Sequence, residues 1–243
     1  MEHEYLARNL ESIQNGIKEA CARSGRDPKE ITLVAVTKTF GMDLVNASLE
    51  LGITDVAENK VQEIETKYPQ LGKAVQKHMI GHLQTNKVKK LIGKVDLIQS
   101  VDSIRLLDEI EKQSDKQGAL TRVLLQVNIG EEEQKSGFEE GELDRALQHA
   151  SKLEHVKVCG FMAMAPFLED PEETRIYFRK MKKIFERYSN LSYNEKIDIS
   201  VLSMGMSGDF EVAIEEGATM IRVGSSLYGA RDYGKKEDPD EQV

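Results

Sequence analysis

A lysine ends an apolar segment in the first sixth of the chain, at a position that suits carbonyl chemistry. Residues 31–39 read ITLVAVTKT, so Lys38 follows a run of apolar and β-branched side chains. Such a run is typical of a strand buried on both faces in a parallel sheet. Neighbouring hydrocarbon lowers the pKa of an amine and favours its attack on aldehydes. On this segment alone, a lysine that extends from a strand end to solvent is the stronger alternative.

Two segments rich in glycine and serine could hold an anion. Residues 203–210 read SMGMSGDF and residues 220–229 read MIRVGSSLYG. Each joins a predicted strand to a predicted helix, so backbone N–H groups and the Ser207 hydroxyl could point at a phosphate. A single segment of this kind is usually an ordinary turn. Two of them, together with Lys38, indicate a phosphorylated carbonyl ligand.

Residues with polar or sulfur-containing side chains, together with Gly224, lie at or just beyond the ends of the predicted strands. They are Asn59, His82, Ser100, Asp102, Asn128, Met162, Met164, Ser203, Met204, Arg222, Gly224 and Ser225. Each has a structural alternative, since asparagines cap helices, histidines can be satisfied inside a core, and methionines fill space. They indicate a site only if the strand ends meet at one edge.

Strand and helix patterns alternate along the chain. Strands are predicted at residues 31–37, 54–57, 78–80, 97–101, 122–127, 156–163, 198–202 and 220–223. Eight strands alternating with helices over roughly 250 residues predict an α/β fold, a single-domain TIM (β/α)8 barrel. A doubly wound open sheet is the main alternative. We expect the barrel to span residues 1–230 and to precede a charged, disordered tail at 231–243.

Two helices are especially clear. The N-terminal helix carries an apolar stripe at steps of three and four and ends near Ser24; the stripe is Leu6, Leu10, Ile13, Ile17 and Cys21. A second helix is predicted at 171–188, with Asp170 as its N-cap and Pro171 in its first turn.

Composition narrows the class of ligand. A net charge of −9 over 243 residues argues against binding to nucleic acid or to an anionic membrane, both of which need a basic face. Cys21 and Cys159 lack paired spacing, so we expect free thiols and a cytoplasmic protein. No apolar run approaches the ~18 residues of a membrane span. We expect no metal site, because the acidic run 131–133 has no second cluster to converge with it.

Five separated motifs carry a resemblance to a known family. They are AVTKT at 35–39, AENK at 57–60, IGHLQ at 80–84, SMGMSGDF at 203–210 and IRVGSSLYG at 221–229. In this order they resemble the pyridoxal phosphate homeostasis proteins, which bind pyridoxal 5′-phosphate (PLP) and are similar to the N-terminal barrel of alanine racemase. The resemblance extends from the first helix to about residue 229.

The resemblance implies a role for several residues. Lys38 would form a Schiff base with PLP, Ser207, Gly224 and Ser225 would hold the phosphate, and Arg222 would face the pyridine nitrogen. Asn59, His82 and Met204 complete the predicted binding set. The function implied is PLP homeostasis by buffering or delivery, with apo PLP-dependent enzymes as partners of a monomeric protein.

Arg222 also bears on catalysis. A guanidinium only donates hydrogen bonds, so it would keep the pyridine nitrogen unprotonated and make carbanion chemistry weak. Alanine racemase has two bases, one of them a tyrosine contributed through a second domain. Tyr228 and Tyr233 lie in no such domain, so we expect no enzyme activity. A PLP-dependent amino-acid racemase is the alternative, and a Schiff-base aldolase without PLP is a third reading that explains Arg222 less well.

Overall fold

Eight parallel strands close into a barrel in the computed structural model, which describes residues 4–130 and 136–229. The strands are β1 (Thr32–Val36), β2 (Asp55–Glu58), β3 (Gln76–Met79), β4 (Leu97–Val101), β5 (Thr121–Val127), β6 (Val156–Ala163), β7 (Ile197–Ser203) and β8 (Met220–Val223). Their order around the barrel is their order in sequence, and β1 pairs with β8. The predicted TIM barrel is confirmed, and a closed ring excludes the open sheet.

Helices lie between most of the strands. They are α1 (Glu4–Ser24), α2 (Met42–Glu50), α3 (Val61–Lys67), α4 (Ile104–Gln117), α5 (Leu143–Ala150), α6 (Arg175–Ser189), α7 (Phe210–Glu215) and α8 (Ser225–Tyr228). The predicted helix at 171–188 begins with a 3-10 turn, Pro171–Thr174, and continues as α6. As predicted, the side chain of Asp170 caps this turn by accepting a hydrogen bond from the N–H of Glu172 at 2.9 Å.

The N-terminal helix packs against the C-terminal end of the described chain. The predicted apolar stripe of α1 is buried, and the helix packs against α7 and α8. Beyond its end, the guanidinium of Arg26 donates to the backbone oxygens of Ile214 and Ala218 at 2.8 and 2.7 Å. These contacts place α1 beside the β1–β8 pair that closes the barrel.

The core has two layers because successive residues of a strand point to opposite faces. In β8, Met220 packs with the residues inside the barrel, whereas Ile221 and Val223 pack in the layer between strands and helices. Cys159 lies in the inner layer and Cys21 in the outer one, and both are buried free thiols. In the described ranges, no helix combines the length and the hydropathy that crossing a membrane requires. The predicted tail and the acidic run 131–133 lie outside the described residues.

Gly160 provides a strong test of this packing. It lies in β6 with φ at +144°, where the pairing of β6 with β7 shifts register, and a Cβ there would overlap the backbone carbonyl of Val201. We expect Gly160→Ala to lower the free energy of unfolding by about 4 kcal/mol, from clash and backbone strain together. Denaturant unfolding measures this value.

A matched glycine serves as the control. Gly72 has no atom within 4 Å of an added Cβ, so Gly72→Ala is expected to stay within about 0.5 kcal/mol of the parent protein. Equal stability of the two variants would contradict the close approach of β6 and β7 at Gly160.

Candidate functional site

A cavity of about 700 Å³ lies at the end of the barrel where the carboxyl ends of the strands meet. It brings together seven of the eight predicted binding residues, which are Lys38, Asn59, His82, Ser207, Arg222, Gly224 and Ser225. They come from five different strand ends, separated by up to 187 positions in sequence. The carboxyl edge of a barrel gathers such residues because every parallel strand ends there.

Met204 is the predicted residue that the structure does not bring to the cavity. Its side chain is fully buried in the outer layer of the core. Gly205 follows with φ at +92°, and Met206 is the methionine that lines the cavity. Strand alternation alone would send Met204 and Met206 to the same face, so the motif SMGMSGDF could not show that the turn at Gly205 brings only Met206 to the cavity.

Lys38 stands just beyond β1, half-buried, on the wall of the cavity. The strand residues before it, Val34 and Val36, are buried inside the barrel. Thr39 follows with φ at +71°, a conformation that is strained for a β-branched residue. The lysine therefore leaves the strand at a sharp and defined turn.

Two backbone N–H groups donate to the hydroxyl of Ser207, which lies near the C-terminal end of the described chain. The Ser207 Oγ atom accepts hydrogen bonds from the N–H groups of Gly224 at 3.1 Å and of Ser226 at 3.3 Å. The Ser226 hydroxyl in turn donates to the Ser207 carbonyl at 3.1 Å. No acceptor for the Ser207 hydroxyl proton occurs among the described residues, so this proton is available to a ligand oxygen. Ser226 was not predicted to take part.

Arg222 is the buried cation of the site. It is 4% exposed, and its guanidinium donates to the Ser203 hydroxyl at 2.7 Å and to the Ala163 carbonyl at 3.0 Å. Burial lowers the pKa of Arg222 to about 10, opposed by the negative charge of Asp209. The side chain is therefore charged at neutral pH and can only donate hydrogen bonds.

A chain of hydrogen bonds leads from Arg222 through the barrel interior. Ser203 accepts from Arg222, so its own hydroxyl donates to Oε1 of Gln99 at 2.7 Å. That contact orients the amide, whose Nε2 donates to Nδ1 of His78 at 2.9 Å. The ring proton of His78 is then on Nε2 and is donated to Asp55 at 3.1 Å. Arg222 thus fixes the direction of every bond in the chain.

Asp55 accepts the last of these bonds near the amino ends of the strands. Burial opposes its ionisation, but hydrogen bonds from His78 and Thr54 lower its pKa overall. His78, Gln99 and Asp55 were not predicted as functional residues. A single sequence gives little signal for them, because partners on adjacent strands are about twenty positions apart.

His82 forms a pair with Asp102 at the edge of the cavity. Nδ1 of His82 lies 3.0 Å from Oδ2 of Asp102, and the imidazole is 61% exposed. The alternative of a core histidine therefore does not apply to His82, whereas His78 is such a residue. Gly81 packs directly against the backbone of Asn59, where any Cβ would overlap the Asn59 carbonyl. This contact fixes the Asn59 strand end next to His82.

The rim of the cavity on the β6 side is apolar and exposed. Met164, Phe167 and Met206 line the cavity and are exposed by 37%, 93% and 37%. Among the described residues, no segment covers Phe167, so this part of the rim faces solvent.

The sequence matches one family model over nearly its whole length. Residues 8–232 match the family described as alanine racemase, N-terminal domain. The chain is 43% identical over 231 residues to the pyridoxal phosphate homeostasis protein of Aquifex aeolicus, covering 95% of this chain and 98% of that protein.

Solved structures agree with the barrel. A protein of unknown function from Bifidobacterium adolescentis has a TM-score of 0.85 at 30% identity, covering 92% of this chain and 94% of that one. The structure of PipY from Synechococcus elongatus with PLP bound has a TM-score of 0.78 at 29% identity, covering 92% of this chain and all of that one.

Proposed function

Because the chain belongs to the family of pyridoxal phosphate homeostasis proteins, we propose that it binds PLP through a Schiff base to Lys38 and buffers or delivers it. One observation carries the proposal: Lys38 shares a single cavity with Ser207 and with the buried Arg222. The Ser207 hydroxyl together with the N–H groups of Gly224 and Ser226 that hold it is called the Ser207 cradle below. The aldehyde, phosphate and ring nitrogen of PLP each require one of these groups. When bound, PLP supplies an aldehyde that an amine can hold reversibly.

The chemistry of the cavity supports this fit. The Ser207 hydroxyl proton is a donor of the kind that a phosphate requires, and the N–H groups of Gly224 and Ser226 orient this hydroxyl by donating to its oxygen. Ser225 also faces the cavity and adds a hydroxyl. Asn59 and His82 line the cavity and would complete the contacts with the ring.

Arg222 favours a carrier over an enzyme. Its guanidinium is charged, already directed by Ser203 and Ala163, and unable to accept a proton. Opposite a ring nitrogen it would keep that nitrogen unprotonated and so weaken the electron sink that carbanion chemistry requires. The relatives are named for homeostasis rather than for a reaction, which supports the same reading.

Tyr228 does not serve as the second base of a racemase. It is buried, its hydroxyl is hydrogen-bonded to Ser48 at 2.9 Å, and burial raises its pKa to about 12. It does not line the cavity. Tyr233 lies outside the described residues.

A racemase remains the second candidate because of the His82–Asp102 pair. A histidine hydrogen-bonded to a carboxylate at the edge of a cavity is a recurrent arrangement for a general base. Lys38 and His82 would then be the two bases. Direct measurement of proton abstraction separates the two functions.

We expect racemisation and transamination to be near background. The test incubates the PLP-loaded protein with single enantiomers of several amino acids and follows the optical purity of each. Sustained turnover of any amino acid, lost in Lys38→Ala and in His82→Ala, would contradict the carrier function and support the racemase.

Delivery has its own assay. The loaded protein is mixed with an apo PLP-dependent enzyme in the presence of a trap for free PLP, and reactivation of the enzyme is recorded. Reactivation that resists the trap would indicate direct transfer, whereas reactivation abolished by the trap would indicate storage and release.

We further propose that the protein acts as a monomer in the cytoplasm. The two buried free thiols fit a reducing compartment of this kind.

A further inference from the structure

An ionisable cluster lies behind the turn that carries Lys38, and the proposed function gives it no role. The cluster consists of Glu58, Glu63 and Lys67 and is called the acid–lysine cluster below. Nζ of Lys67 lies 2.8 Å from Oε1 of Glu58 and 3.4 Å from Oε2 of Glu63. Glu58 ends β2, while Glu63 and Lys67 are one turn apart on α3.

The cluster holds the residue before Lys38 at two points. The Thr37 hydroxyl donates to Oε1 of Glu58 at 2.7 Å, and the ammonium of Lys67 donates to the Thr37 carbonyl at 2.9 Å. Both contacts are shielded from water, since Thr37 is 1% exposed and Glu58 is fully buried. The peptide group that joins Thr37 to Lys38 is therefore fixed.

The cluster also holds the residue after Lys38. The N–H of Thr39 donates to the Glu63 carboxylate, with distances of 3.3 and 3.2 Å to its two oxygens. Thr39 has φ at +71°, which a β-branched residue adopts only when its surroundings impose it. The bond to Glu63 is a contact able to impose it.

The charges of the cluster balance. Burial and the neighbouring Glu63 carboxyl raise the pKa of Glu58 to about 8, which favours the protonated form of Glu58 near neutral pH. Interactions with Glu58, Lys67 and Thr39 lower the pKa of Glu63 overall, although burial opposes this. With Glu58 protonated, the cluster contains one anion, Glu63, paired with one cation, Lys67.

We propose that the acid–lysine cluster positions the amine of Lys38 for its reaction with an aldehyde. It does so by fixing the backbone on both sides of the lysine, with Glu63 holding the strained Thr39. The cluster is expected to act through the reach of the Glu63 side chain to the N–H group of Thr39, and not through the charge of Glu63. This inference rests on the proposed function and adds positioning residues to its site.

Variants of Glu63 separate reach from charge. Glu63→Gln removes the charge but keeps an oxygen able to accept from Thr39. Glu63→Asp keeps the charge but withdraws the oxygens by one methylene. Glu65→Asp is the matched control, because Glu65 lies on the same helix and pairs with Lys90 at 2.8 Å, away from the turn.

Two readouts follow Lys38 directly. The first is the rate of its acetylation in the cofactor-free protein, measured over a range of pH by mass spectrometry and compared with the rate at Lys60. The second is the rate at which the absorption band of the lysine adduct forms when PLP is added. We expect Glu63→Asp and Glu63→Ala to slow both by about tenfold or more, and Glu63→Gln and Glu65→Asp by less than about threefold.

The outcomes distinguish this inference from the proposed function. Wild-type rates in a folded Glu63→Asp protein, or slow rates in Glu63→Gln with normal rates in Glu63→Asp, would overturn positioning by reach. Pyridoxine 5′-phosphate lacks the aldehyde and is expected to bind all four variants equally well. Its failure to bind the parent protein would instead overturn the proposed function. Circular dichroism establishes folding, and Glu63→Asp provides the test should Glu63→Ala unfold.

Discussion

Lys38→Ala is expected to abolish the absorption band that PLP produces on binding. The variant loses the amine that holds the aldehyde, whereas the Ser207 cradle and Arg222 stay in place. Borohydride treatment of the loaded parent protein is expected to fix a pyridoxyl group on Lys38, located by peptide mass spectrometry. The fold is expected to survive, because Lys38 is only half-buried and lies beyond the end of β1.

Lys60→Ala is the matched control for this experiment. Lys60 is an exposed lysine two residues beyond β2, close to the same edge of the barrel, but it does not line the cavity. Its variant is expected to keep the full band. A Lys38→Ala protein with the same band as the parent, or a pyridoxyl group found on another lysine, would contradict the assignment.

The Ser207 cradle is expected to make the protein select PLP over pyridoxal. Each charge-assisted hydrogen bond to the phosphate contributes about 1.5–3 kcal/mol, so loss of the whole group lowers affinity by about a hundredfold or more. Ser207→Ala removes one donor and the atom that organises Gly224 and Ser226. We expect it to weaken PLP binding by roughly tenfold to a hundredfold without removing the band.

Spectroscopic titration measures both effects. Ser151→Ala is the control, since the Ser151 hydroxyl donates to the Gln148 carbonyl at the end of α5 and does not line the cavity. Comparable affinities for PLP and pyridoxal would contradict the assignment of the phosphate site to the Ser207 cradle.

The positions of the strands could be predicted because a parallel strand that is buried on both faces consists mostly of consecutive apolar residues. The observed strands lie within two residues of those predicted, and β4, β6 and β8 have the predicted bounds. Lys38, Asn59 and His82 could be placed at one edge because strand ends in a barrel converge. The roles of these residues in binding PLP remain predictions.

Side-chain direction and long-range pairing could not be predicted. Met204 and Met206 are alike in sequence, and only the turn at Gly205 determines which one reaches the cavity. The acid–lysine cluster depends on α3 bringing Glu63 and Lys67 back over the end of β1, which no local pattern encodes. The path from Asp55 to Arg222 depends likewise on the register of five strands.

The hydrogen-bond chain through the barrel limits how this sequence can evolve or be redesigned. Its middle members, His78, Gln99 and Ser203, each donate one bond and accept another. An apolar replacement of any one leaves a buried, unsatisfied polar group on both sides, at a cost of about 1–3 kcal/mol for each. Viable changes must therefore come in compensating pairs. In a combinatorial library, these three positions therefore need to be varied together.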